Sequence, residues 1–323
     1  MKFSVTSSPH IRGKDTTRRI MLDVVIALLP ALAAGVWFFG LRALTVTLVS
    51  IISALLCEGL VNLLQKRPTT LGDGSALVTG LLLAFTLPTS VPYWLAAVGS
   101  AFAILVVKGL CGGLGQNVFN PALAARACML MLWPAWMVRY AAPGVKLPVV
   151  GEIVDIATSA TPLHHMQMPT LPELSVGQLL LGSVGGTIGE VSALALLLGA
   201  AYLLIRRVIS IRIPAAYLLT IAVLTMIFYK ADQPVEWMIY SLLSGGVLLG
   251  AFFMATDYAS APVTPVGQVI YGVGCGALTV FFRYYGLFPE GFTYAILLMN
   301  ACVWILDRYT APRRFGVRRG GTA

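Results

Sequence analysis

Residues 20–40 read IMLDVVIALLPALAAGVWFFG, and residues 41–64 follow without a gap as LRALTVTLVSIISALLCEGLVNLL. The first run carries a single charged residue, Asp23, and the second carries Arg42 and Glu58. An apolar run of about 18 residues or more with few charges is long enough to cross a bilayer as a helix. Two such runs joined at Gly40–Leu41 and closed by Gln65-Lys66-Arg67 predict two consecutive membrane spans. The whole composition agrees. Of 323 residues, 58% are hydrophobic and 11% are charged, and the mean hydropathy is +0.85. A soluble domain carries roughly a quarter charged residues. The apolar surplus exceeds what one globular core holds, and the 32 glycines suit helices packed closely through small residues.

Working outward, ten apolar segments lie near 20–40, 41–64, 75–89, 92–110, 118–138, 178–205, 214–229, 237–256, 267–285 and 291–306. The segments 75–89 and 214–229 fall short of the roughly 20 residues of a full span and read as half-buried or interrupted helices. The expected fold is an all-α polytopic membrane protein of about ten transmembrane helices. Lys and Arg set its orientation. With the N-terminus in the cytoplasm, Arg18, Arg19, Lys66, Arg67, Lys108, Arg206, Arg207 and Arg212 fall inside, as does the tail with Arg308, Arg313, Arg314, Arg318 and Arg319. The outside receives Arg42, Arg139, Lys146, Lys230 and Arg283. The organisation is then a cytoplasmic N-terminal segment 1–19, a first transmembrane half 20–138, an extracytoplasmic loop 139–177, a second transmembrane half 178–306 and a basic cytoplasmic tail 307–323. No small-residue cleavage site follows the basic N-terminus, so the first apolar run reads as a retained span.

The net charge of +9 does not point to nucleic acid. The cations sit in short clusters between apolar stretches, which is a topology signal and not a binding stripe. The five cysteines, Cys57, Cys111, Cys128, Cys275 and Cys302, show no C-x-x-C spacing and read as small packed hydrophobes. Residues 73–88, DGSALVTGLLLAFTLP, and 257–272, DYASAPVTPVGQVIYG, both open with Asp, small polar residues and a Val-Thr pair, and Asn120 and Asn300 lie in the fifth and tenth segments. Five spans per half is odd, so a duplication would be an inverted repeat of five plus five, an arrangement that builds sites near the midplane from interrupted helices. The alternative is that Asp followed by small residues is simply a common helix cap.

Three segments carry candidate chemistry. In the loop, Asp155-Ile-Ala-Thr158-Ser159-Ala160-Thr161 precedes Pro162 and Leu163. It resembles the pattern D-x-x-[ST]-[SG]-A-T, whose last Thr is esterified through its hydroxyl to the phosphate of FMN by a flavin transferase on the extracytoplasmic side. Such a phosphoester tethers the flavin while leaving its ring free for redox chemistry. The alternative is a Ser/Thr-rich surface turn. The second segment runs from Gly112 through Gln116-Asn117-Val118-Phe119-Asn120-Pro121 to Arg126. Its glycines allow close backbone approach, and Asn117 and Asn120 stand i, i+3 on one helical face. Two amides and an Arg at membrane depth are costly unless paired or bound. Capping by Asn117 and a helix–helix hydrogen bond by Asn120 is the alternative. The third segment places Asp257 at the inner end of a span, as a lining group of a cofactor or ion path or as a cap, and Asp73 carries the same two readings.

Together these segments resemble the family of D subunits of the Rnf electron-transport complex (RnfD) and, more distantly, the B subunit of the sodium-pumping NADH:quinone oxidoreductase (NqrB). Ser8-Pro9-His10-Ile11-Arg12, Gly72-Asp73-Gly74, Gln116 to Leu123, Asp155 to Leu163 and Met254-Ala255-Thr256-Asp257 carry the resemblance. It implies a membrane subunit that takes part in electron transfer between NADH and ferredoxin coupled to ion movement, without catalysing it alone. It implies covalent FMN at Thr161 and, by similarity to the NqrB segment, noncovalent riboflavin near Asn117 and Asn120. The implied partners are the other Rnf subunits: membrane subunits, cytoplasmic NADH-binding and iron–sulfur subunits and a flavin-bearing G subunit. The flavin transferase and the lipid bilayer of a bacterial inner membrane complete the set.

Other polar positions say less. Glu190 follows Gly185-Gly186-Thr187-Ile188-Gly189 and reads as lining an interrupted helix, so Asp73, Glu190 and Asp257 are the candidate ion path. Glu58 reads as a snorkelling or capping carboxylate. His164 and His165 lack further metal-ligand partners. Trp94, Trp133, Trp136, Tyr140, Trp237 and Tyr240 read as interfacial anchors. A transporter or channel with an inverted-repeat pore, or a scaffold without cofactor, are the competing functions.

Overall fold

The computed structural model describes residues 16–66, 70–110, 113, 115–149, 175–182, 184–286 and 290–312. Among them there are helices and connecting loops and no β-strand. The helices are α1 (Thr17–Phe39), α2 (Leu41–Leu64), α3 (Ser75–Phe85), α4 (Tyr93–Phe102), α5 (Pro121–Leu132), α6 (Pro134–Met137), α7 (Val176–Leu181), α8 (Ala193–Ile205), α9 (Arg212–Ile227), α10 (Pro234–Leu243), α11 (Val247–Leu249), α12 (Pro265–Tyr285), α13 (Phe292–Ala301) and α14 (Val303–Thr310). A π-helical turn extends α4 over Ala103–Lys108 and another extends α11 over Gly250–Met254.

Three of these helices, α1, α2 and α12, are long and apolar enough to cross a membrane. A fourth span forms if α10 and α11 with its π turn, bent by 60° at their break, count as one. The remaining apolar helices are shorter. The segment expected at 118–138 divides at Trp133, where Pro134 cannot continue the ladder of α5. The segment at 178–205 divides between α7 and α8, and 291–306 divides at Cys302.

Gly40 sets the first corner. Its φ of +79° and ψ of −170° lie in a region open essentially only to glycine, and there α1 turns directly into α2. Glycines also set how closely helices approach. A Cβ on Gly199 of α8 would lie 2.0 Å from the Ala27 carbonyl oxygen of α1, and one on Gly272 or Gly276 of α12 would lie 2.8 Å from a backbone oxygen of α9. The core includes Leu28, Phe85, Leu95, Tyr217 and Phe292, all fully buried, while Trp37, Leu56, Leu63, Ile205 and Leu219 stay exposed. Large apolar residues on the outside suit a molecule whose surroundings are lipid.

Two breaks meet in the interior. The backbone N–H groups of Ile188 and Gly189 donate to Leu87 O at 3.0 Å and Phe85 O at 2.9 Å. The loop before α8 is thereby stitched to the stretch after α3, satisfying backbone groups that helices would otherwise pair internally. The segments carrying Arg18, Arg19, Lys108, Arg206 and Arg207 gather at one end of the bundle, where the start of α1, the starts of α3 and α5 and the ends of α4 and α8 converge. We call this the basic end. Not all the expected anchors lie at an interface: Trp237 is fully buried, its Nε1–H donating to Tyr284 Oη at 2.8 Å, and Tyr240 is buried too.

Candidate functional site

A cleft opens at the basic end. Its apolar wall includes Val78, Leu82, Phe252 and Phe253, and its polar wall includes Ser75, Lys108, Asn117, Asn120 and Asp257. Asn117, Asn120 and Asp257, picked out in the sequence, are brought together here. Asp73 joins them at one remove, through Ser75.

Asn117 and Asn120 reach the cleft differently from the expected helical face. Both precede α5. Pro121 is its first residue, and the residue before a proline is steered into extended backbone, as Asn120 is at φ −62° and ψ 120°. Capping therefore falls to Asn120 and not to Asn117. Asn120 Oδ1 accepts from the N–H groups of Ala122 (3.1 Å) and Leu123 (3.3 Å), and Nδ2 donates to Met254 O at 3.2 Å. Its own N–H lies 3.1 Å from the Asn300 side-chain oxygen when the Asn300 amide is turned to satisfy both its ends. Asn120 is thus fully employed by the fold. Asn117 is not: it is only 5% exposed and its Oδ1 has no hydrogen-bond partner. A buried amide carbonyl left unpaired costs about 1–3 kcal/mol, so this atom is one that a bound group would satisfy.

Asp257 sits in the loop after the second π turn, half-buried, and accepts from the Ser260 hydroxyl at 3.0 Å. Burial pushes its pKa above the usual carboxylate value, against the pull of Ser260 and the Ala259 amide. Asp73 Oδ1 accepts from the Ser75 N–H (2.8 Å) and hydroxyl (2.7 Å) at the start of α3. Glu58 does not snorkel. It is 3% exposed and ion-paired with Lys108, which also donates to Ser75 Oγ at 2.6 Å. Sequence reading missed this pair. The signal was available, because opposite charges near the inner ends of neighbouring apolar segments have little choice but each other.

Glu190 lies apart from this cleft, in a second polar cluster. There Arg126, 1% exposed, pairs with Glu290, donates to Thr86 O at 2.6 Å and lies over the Phe292 ring at 5.2 Å. Tyr140 donates to Glu290 Oε1 at 2.5 Å; burial pushes its phenol up, so it stays neutral and a donor. Arg283 donates to Ser241 O and Ser244 O. A small cleft beside the cluster is lined by Glu190, Glu290, Ser244 and the glycines 185, 186 and 245. Among the described residues no group of three or more His, Cys, Asp or Glu is arranged to hold a metal. Thr161, Asp155, His164, His165 and Cys111 lie outside the described residues.

Fold and site together define a multi-pass, all-helical membrane protein with a polar cleft at its basic end. The chain belongs to the NQR2, RnfD, RnfE family, whose model matches residues 4–316. It is 48% identical to the D subunit of the Na(+)-translocating ferredoxin:NAD(+) oxidoreductase complex of Acetobacterium woodii, over 99% of this chain and 97% of that protein. It is 40% identical to the D subunit of the proton-translocating ferredoxin:NAD(+) oxidoreductase complex of Clostridium ljungdahlii, over 98% and 97%. It is also 40% identical to the D subunit of the ion-translocating oxidoreductase complex of Stutzerimonas stutzeri, over 94% and 93%.

Proposed function

We propose that this chain is the D-type membrane subunit of an ion-translocating ferredoxin:NAD(+) oxidoreductase complex and that it relays electrons through bound flavin without catalysing the overall reaction alone. Relatives with that printed function, aligned along nearly the whole chain, support the subunit assignment. Those relatives are named for sodium in one case and for protons in the other, so kinship leaves the coupling ion open. In this reading FMN is esterified through its phosphate to the Thr161 hydroxyl by a flavin transferase, and the loop 139–177 faces the periplasm of a bacterial inner membrane. Both termini are then cytoplasmic, and the chain crosses the bilayer ten times as an inverted repeat of five plus five. The other membrane subunits, the NADH-binding and iron–sulfur subunits and the flavin-bearing G subunit complete the electron path.

The observation that carries the cofactor reading is the unpaired Oδ1 of Asn117 in the cleft. Asn117 would contact a noncovalent riboflavin there, with Asn120 fixing the start of α5 beside it and Phe252 and Phe253 offering apolar surface to its ring. The flavin supplies one-electron chemistry when bound. The chain's residues orient it and shield it from lipid. Asp73 and Asp257 at the basic end and Glu190 in the second cluster line the proposed ion path.

The test is fluorescence of the denatured chain in a gel, expressed with the transferase. Wild type is expected to fluoresce and Thr161→Ala to be dark. A dark wild-type band would refute covalent attachment.

A further inference from the structure

Lys108 is held in place without being used up. It ends the π-helical turn after α4, is 6% exposed and lines the cleft. Its ammonium has three N–H donors. One meets the Glu58 carboxylate and one meets Ser75 Oγ at 2.6 Å, which leaves a third for a group in the cleft. The Ser75 hydroxyl then donates to Asp73 Oδ1 at 2.7 Å. Asp73 closes the short 3-10 turn Leu71–Asp73, whose Leu71 and Gly72 are exposed. A continuous line of hydrogen bonds, all pointing the same way, therefore runs from the wall of the cleft to the surface of the basic end. The charged groups around Lys108 are Glu58 from α2, Asp73 through Ser75, and Asp257 across the cleft lining. A purely structural pair needs only Lys108 and Glu58. It requires neither the serine link nor the opening to the cleft.

We propose that Lys108, Ser75 and Asp73 form a proton-delivery route from the aqueous surface of the basic end to a redox group in the cleft. The proposal rests on the reading that the cleft holds a noncovalent flavin. Lys108 would donate its third N–H toward a bound flavin and give up one proton for each electron the flavin receives from its donor in the complex. The neutral Lys108 amine and the Ser75 hydroxyl then turn, so that the amine accepts from Ser75 in place of donating to it, and a proton drawn from water by Asp73 passes through Ser75 to Lys108. Each electron the flavin takes up would thus be matched by one water-derived proton, and Lys108, Ser75 and Asp73 would return to the arrangement described.

The test uses the full purified chain in a Thr161→Ala background, so that only noncovalent flavin reports. Flavin released by acid is counted first. The chain is then mixed with dithionite in H2O and in D2O, and protonation of the reduced ring is followed by absorbance. Ser75→Ala leaves both charges but breaks the link, and is expected to slow protonation at least about tenfold at unchanged flavin content. Ser75→Thr is expected to restore the rate. Asp73→Asn provides a second break should Ser75→Ala fold poorly. Wild-type protonation rates in both breaking variants, with flavin retained, would overturn the route. A parent chain that releases no flavin would overturn the cleft reading and the route with it, and that result is visible before any kinetics.

Discussion

Two buried ionic networks in this molecule use the same kinds of residue to opposite ends. Around Arg126 the polar groups meet one another, a guanidinium on a carboxylate and a backbone carbonyl, a phenol on the same carboxylate, a ring beneath the cation, while Arg126 Nε and Glu190 Oε1 keep no hydrogen-bond partner. These contacts tie α5 to the stretch after α3 and to the start of α13. Around Lys108 the line of hydrogen bonds starts at the surface and ends at an open wall, beside an amide with nothing to bind. The first network ties separate helices to one another, whereas the second runs in a line between a surface and a cleft wall. The difference separates the two regions more sharply than charge or depth does.

Breaking the Arg126 network should have the largest effect. Arg126→Met leaves Glu290 buried without its partner, a change that costs about 3–5 kcal/mol. Thermal unfolding in detergent should show a large loss, with most of it regained in Arg126→Met/Glu290→Met. Full stability in the single variant would mean the cluster is not a clamp. Asn120→Ala removes the α5 cap and should cost about 0.5–2 kcal/mol, read in the same unfolding assay, together with a weakened cleft. Asn117→Ala is expected to behave in the opposite way. It should keep or slightly raise stability, because the atom removed has no partner within the chain, while flavin retention falls at least about tenfold.

The smallest effect sharpens the comparison through pH. Burial raises the folded-state pKa of Asp257 above its unfolded value. Its protonated form is therefore the one that folding favours, and its contribution to stability declines as pH rises from the ordinary carboxylate range through the raised value. Asp257→Asn should flatten that part of the stability profile. An unchanged profile would mean that the carboxyl is solvated.

The apolar runs at 20–64 and 267–285 were legible because length and hydropathy alone decide a long membrane helix. The broken elements were less so. Trp133-Pro134 and Ser244-Gly245-Gly246 mark interruptions, yet only the fold reveals that the stretch after α3 pairs with the loop before α8. Asn117, Asn120 and Asp257 stood out as polar residues in apolar surroundings, and they do share one cleft. The pairing of Lys108 with Glu58, and of Arg126 with Glu290, joins residues 50 and 164 positions apart in the chain. The position of opposite charges at the inner ends of neighbouring segments hints at the first pair, but which charges meet depends on how the helices pack.

The most direct measurement of the central claim counts flavin in two pools after acid denaturation: released from the chain and retained on it. Wild type should show both. Asn117→Ala should lose the released pool and keep the retained one, Thr161→Ala should do the reverse, and an Arg126 variant should lose flavin only in proportion to folded protein. A wild-type chain with no released flavin, or an Asn117→Ala chain that releases as much as wild type, would contradict the account.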